Sequence, residues 1–347
     1  MNVLLILFLF IIIKEMKFPE QGSFYTDYCS ARKTNAIKGM YVFLLFFWHS
    51  PDYFELGDAD RMVSTVAETF KQLPVAPVLF YSGYGIMESI KKKGLNYIKS
   101  IPTQRVLKTI LLGDAAVIVF TLVYLLLGFD VSFKQFALSL IFWDFIGNNT
   151  WYSFIIISLY LLTYASFRFF HKNYFLSAVI LVIFSVPVFF ILSNTRDIFW
   201  FNTYFVYHFG VFFSLLREPV EKIIMKNNIT YCAAMCAALL GFAYFFQMGS
   251  YYYFIVASCF FMAFFVGITM KVAVDSVFFQ FLGKHLFAFY AFHRLPLIFT
   301  YFFNASNFVK VLFAFIATCG IACAFDYYSA WLDRAFFKKS FRKATKV

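Results

Sequence analysis

The feature that most constrains this chain is a succession of long apolar runs separated by short charged gaps. Residues 174–192, YFLSAVILVIFSVPVFFIL, pass without one charged side chain. A stretch of ~20 apolar residues spans a bilayer as a helix. Of the 347 residues, 62% are hydrophobic and 14% charged, with a mean hydropathy of +0.74. A soluble domain keeps about 25% charged residues to cover its surface, so this chain needs lipid as its solvent. The expected fold is an all-α, polytopic transmembrane helical bundle of about ten spans. They are read near 37–53, 63–90, 105–128, 151–170, 174–192, 199–216, 229–247, 250–270, 277–303 and 307–331. Pro74 and Pro77 each lack a backbone donor and favour a kink in the second span, and polar residues in the ninth favour tilt or a break.

The gaps set domains and orientation. A membrane domain over 35–335 is flanked by an N-terminal segment, 1–34, and a basic tail, 336–347. The net charge of +12 sits in short loops, which argues for topology and against a nucleic-acid partner. Lys91, Lys92, Lys93 and Lys99 form one basic gap, taken as a loop; Arg217, Lys222 and Lys226 mark another, and Arg334 to Lys346 a third. Placing them on the cytoplasmic side is consistent with ten spans and both termini there, residues up to 34 included. Residues 3–13 are too few for a comfortable span, so an interfacial helix and a short eleventh span both stay open. The six cysteines lack zinc-site spacing and are expected to behave as small core hydrophobes; no metal is expected.

Ionisable groups inside apolar runs are costly and commonly line an interior site. Lys38 and His49 lie in NAIKGMYVFLLFFWHS, eleven residues apart. At ~3.6 residues per turn that is about three turns, so both face one way, roughly 16 Å apart along the axis. Lys38 alone suits a snorkelling helix end. His293, in LGKHLFAFYAFHRLPL, falls at a comparable depth to His49. Either histidine also suits a helix–helix hydrogen bond. His285 and His208 are less informative, and His171 sits in a basic gap. Ser82-Gly83-Tyr84-Gly85 permits close approach of a ligand or a neighbouring helix. With Lys38, Arg105 and Lys108 gathered on one side, these groups suit the phosphates of an anionic cosubstrate.

These segments resemble the acyltransferase-3 family of integral membrane acyltransferases. Lys38 and His49 are similar to its Arg/Lys-x10-His signature, LFYSGYG at 79–85 to its Phe-rich Ser-Gly segment, and Arg105-Val-Leu-Lys108 to its Arg-x-x-Arg motif with lysine last. Trp151-Tyr152 and FLGKHLFAFYAFHRLP also resemble family positions, although His285 stands where a small polar residue is usual. The resemblance covers about residues 30–335.

It implies an enzyme moving an acyl group, commonly acetyl, from cytoplasmic acyl-CoA to a hydroxyl of an envelope carbohydrate. The setting would be a bacterial cytoplasmic membrane, with membrane lipid and polysaccharide-assembly proteins as partners. His49 would act as general base or as acyl-accepting nucleophile. His293 and Tyr290 would orient the acceptor or polarise the thioester, and Trp151 and Tyr152 would line the acceptor side. Lys38, Ser82, Tyr84, Arg105 and Lys108 would hold the donor. The appended hydrolase-like domain of some relatives is not expected after Phe336. The rival reading is a transporter or flippase of a lipid-linked saccharide.

Overall fold

A computed structural model describes residues 2–337 apart from 55, 56, 58, 59, 71 and 149. The basic tail beyond 337, and Glu55 and Asp58 of the acidic gap at 51–61 that follows the first expected span, lie outside the described residues. The chain is almost wholly helical. In order come α1 (Asn2–Lys14), β1 (Met16–Lys17), α2 (Ala31–His49), α3 (Arg61–Phe70), α4 (Ala76–Ile101), α5 (Lys108–Leu126) and α6 (Phe133–Leu140). Then follow α7 (Trp151–Phe169), α8 (Tyr174–Thr195), α9 (Val206–Ile224), α10 (Asn228–Gln247), α11 (Tyr251–Thr269) and β2 (Ala273–Val274). Last are α12 (Val277–Lys284), α13 (Leu286–Phe292), α14 (Arg294–Phe299) and α15 (Asn307–Leu332).

Among the described residues, six helical stretches are long and apolar enough to cross a membrane. They are Leu73–Leu126, Trp151–Phe169, Tyr174–Thr195, Asn228–Gln247, Tyr251–Thr269 and Asn307–Phe337. The molecule is an integral membrane protein. Polar side chains start several helices by taking an unpaired backbone N–H: Ser30 accepts from Lys33, Asn173 from Leu176 and Ser276 from Phe279. Asn227 and Thr230 cap α10 reciprocally.

The breaks fall at residues with a backbone reason. The run expected as one span at 63–90 is instead α3, a short turn at Leu73–Val75, and α4. Pro77 stands in the first turn of α4, where its missing N–H costs nothing, so it starts a helix rather than kinking one. The expected basic loop is helical up to Gly94, whose φ of 57° turns the chain back. Both ends of this hairpin lie at the His49 end of the bundle. Val78 lines a cavity with His49, and Tyr124 packs under Gly147, two residues from Phe145 in that same cavity. The ninth expected span is broken, into α12, α13 and α14. His285 leaves helical geometry, and Pro296 cannot bond to the carbonyl four residues back, so the helix is interrupted at His293.

Two crossings are glycine-mediated. A Cβ on Gly39 would fall 1.8 Å from the carbonyl oxygen of Phe279, and one on Gly283 1.8 Å from that of Asn35, which locks α2 to α12. Gly83 and Gly210 do the same between α4 and α9, at 2.0 Å from Tyr207 O and 2.1 Å from Phe80 O. Gly83 of the Ser-Gly segment therefore serves helix packing.

The apolar core has two large bodies. One joins α4, α7, α8, α9 and α11 around Phe80, Phe167 and Tyr207; the other joins α1, α2, α5 and α12–α15 around Phe46, Phe279 and Phe289. The N-terminal helix runs the length of the second body. Asn2 Oδ1 accepts from Val63 N–H of α3 at 3.2 Å, while β1 pairs antiparallel with β2 at the opposite end. Asp275 clasps that end, held by Arg32 Nε and Nη2 at 2.9 Å each and by Lys17 Nζ at 3.2 Å. The cysteines depart from expectation. Cys29 is buried, but Cys232, Cys236 and Cys323 are exposed, because their helices turn those faces away from the core.

Candidate functional site

Two cavities lie between the core bodies. The first, of about 390 Å³, is built where α2 ends and α14 begins. His49, Asp52, Trp48, Trp151, Tyr152, Tyr290 and Arg294 are among its lining residues. Its polar corner is compact. Arg294 Nη2 lies 2.7 Å from His49 Nδ1 and 3.0 Å from Asp52 Oδ2, with Asp52 Oδ2 3.4 Å from the same ring nitrogen. Behind it, the His293 ring stands 5.1 Å from that of His49. The His293 Nδ1 is 3.0 Å from both Phe289 O and Tyr290 O, and the residue is 2% exposed. The rest of the wall mixes aromatic rings with aliphatic side chains such as Val42, Leu45 and Val78, and Tyr152 N–H donates to the Tyr290 hydroxyl at 3.0 Å.

The second cavity, of about 680 Å³, opens at the Lys108 end. Ser82, Lys93, Tyr97, Arg105, Lys108 and Asp333 are among its lining residues. Its cations are not equally available. Lys108 Nζ is held by both carboxylate oxygens of Asp333, at 2.7 and 2.8 Å. Arg105 is exposed, and its Nε donates to the Tyr97 hydroxyl at 3.0 Å. Tyr152 and Leu286 line both cavities, so this pair is the wall the two share.

The structure brings His49, Trp151, Tyr152 and Tyr290 together in the first cavity, with His293 packed directly behind. Ser82, Arg105 and Lys108 meet in the second. Lys38 lines neither; it is half-buried, with Arg105 as the charge acting on it. Tyr84 lines neither, because its hydroxyl accepts from Arg217 Nη1 at 2.8 Å. His208 pairs with Ser185 Oγ at 2.7 Å, and His285 lies 2.9 Å from Asp326, so both serve helix contacts. His171 stays in its gap beside the Arg168 carbonyl.

Sequence reasoning missed Asp52 and Arg294. Asp52 sits in an acidic gap that reads as topology, and Arg294 follows His293 without a spacing signal of its own. Among the described residues, no three His, Cys, Asp or Glu side chains gather as a metal site would require.

No protein-family model matches the chain, and neither does any curated protein or solved structure. The resemblance to acyltransferase-3 proteins thus rests on the motif residues themselves.

Proposed function

We propose that this chain is a membrane acyltransferase moving a short acyl group, acetyl in the simplest case, from acyl-CoA to a hydroxyl of an envelope carbohydrate. The observation that carries the reading is the meeting of two unlike cavities at Tyr152 and Leu286. A roomy, partly cationic chamber suits the phosphates of CoA, with Arg105 as principal ligand and Lys38 and Lys93 adding field. The aromatic chamber suits a sugar ring. At ~30 Å³ per water, its volume equals about a dozen waters, room for one monosaccharide-sized unit and a short acyl group. The acceptor oxygen attacks the thioester carbonyl, its proton is taken by imidazole, and the CoA thiolate leaves and regains a proton. The covalent variant passes the acyl group through a His49 nitrogen first.

The basic residues at the Lys108 end make it the cytoplasmic side, with the C-terminus inside. With ten passes, as read from the apolar runs, the passes alternate and the His49 chamber faces outward in a bacterial cytoplasmic membrane. The position of α1 between α3 and β2 suits an eleventh crossing with the N-terminus outside, while its 13 residues suit an interfacial helix equally. The broken α12–α14 helix favours a second reading, transport of a lipid-linked saccharide.

The two readings separate on base-labile O-acyl esters of envelope glycans in cells lacking the protein. Restoration by the wild-type chain but not by an equally abundant His49→Ala variant supports acyl transfer. Unchanged ester content with reduced glycan export supports the transporter.

A further inference from the structure

The corner joining Arg294, His49 and Asp52 specifies more than proximity. A guanidinium carries donors only. With Arg294 Nη2 at 2.7 Å, His49 Nδ1 must accept, so the proton of the neutral ring sits on Nε2. His293 is set the other way. Its Nδ1 faces two carbonyl oxygens at 3.0 Å and must donate, which leaves Nε2 as the lone-pair nitrogen. That Nε2 is buried and has no hydrogen-bond partner among the described residues. The two neighbouring imidazoles therefore carry opposite tautomers.

A base or nucleophile working through His49 Nε2 needs the other arrangement, with the proton on Nδ1. Asp52 is placed to receive it, its Oδ2 3.4 Å from Nδ1 and already 3.0 Å from Arg294. We propose that Arg294 and Asp52 are positioning residues that set the tautomer of His49: Arg294 holds the empty site as Nε2–H, and Asp52 takes over Nδ1–H once Arg294 turns to a ligand carbonyl. The ring gives its Nε2 proton to solvent and takes one up from solvent at Nδ1, so its charge is unchanged. The catalytic meaning of this switch rests on the acyltransferase reading; the resting tautomer does not. The chain geometry explains why Arg294 can do this. It opens α14 directly after the break at His293, and its guanidinium reaches His49 at the end of α2.

Solid-state NMR of histidine-¹⁵N-labelled protein in lipid nanodiscs reads the tautomer directly, with His49 assigned by subtraction of a His49→Gln sample. The wild type is expected to show His49 with Nδ1 unprotonated and Nε2 protonated as the major form. Arg294→Met should turn the majority to Nδ1–H, Arg294→Lys should restore the wild-type pattern, and Arg294→Met with Asp52→Asn should remove the preference. A wild-type ring protonated at Nδ1, or a pattern unmoved by Arg294→Met in protein that folds as the lysine variant does, overturns the proposal. Acyl transfer is followed on the same samples. A tautomer that moves as expected with no transfer in any sample retires the acyltransferase reading and leaves the positioning roles standing.

Discussion

The two cavities share Tyr152 and Leu286 yet are built in different ways. At the His49 end, three charged or titratable groups from α2, the turn after it and α14 converge on one another within 3.4 Å. At the Lys108 end, cations are more numerous but spread, and Lys108 is already neutralised by Asp333. A tight mixed-charge corner fixes the orientation of one ring; a loose basic mouth attracts a flexible anion and holds it by the sum of weak contacts. On the acyltransferase reading, motif residues of equal standing in the sequence divide into chemistry at one end and capture at the other.

The sharpest break between the ends comes from His49→Ala. It should lower acyl transfer by ~10²–10⁴-fold through the turnover number, with donor affinity unchanged, as measured by transfer kinetics and CoA binding in detergent. Arg105→Gln should do the reverse. Loss of a charge-assisted contact of about 1.5–3 kcal/mol raises the donor KM by roughly tenfold or more and leaves turnover near wild type. Equal effects of both variants on both parameters would erase the distinction.

How far the sequence reveals this arrangement depends on the kind of signal. The helices α7, α8, α10 and α11 follow from uninterrupted apolar runs, since lipid leaves the backbone no alternative to helix. The start of α4 is hidden because Pro74 and Pro77 lie inside an apolar stretch, and the reversal at Gly94 is hidden by the lysines before it. Periodicity puts Lys38 and His49 on one helix face, but it cannot show that Tyr152 and Leu286, from α7 and α13, end the cavity before Lys38. Arg294 and Asp52 are 242 residues apart, and they meet because α14 packs against the turn that follows α2.

Smaller effects sharpen the inner end. Asp333→Asn releases Lys108 from a full carboxylate, so CoA should bind a few-fold tighter, on the order of one surface ion pair of 0.2–1 kcal/mol. Weaker binding would mean that Asp333 orders the mouth rather than competing for it. The smallest effect concerns the clasp at Asp275. Its partial burial would raise the carboxyl, but Lys17 and Arg32 outweigh that and hold it below the usual range. A depressed carboxylate stabilises the fold fully above its unfolded value of ~3.9, and that contribution is lost as pH falls through the lowered folded value. Hydrogen-exchange protection of Met16 and Lys17, corrected for intrinsic rates, should stay flat from neutral pH down to ~4 and drop only in more acid solution. A drop already near neutrality would contradict this account of the clasp.

The central claim is that both cavities form one path through the wall made by Tyr152 and Leu286. Leu286→Trp places a large ring in that wall, and labelled acyl-CoA with membrane-embedded protein measures capture and transfer separately. Donor is expected to bind still at near wild-type affinity while transfer falls at least tenfold. Transfer at the wild-type rate through the obstructed wall would contradict that claim.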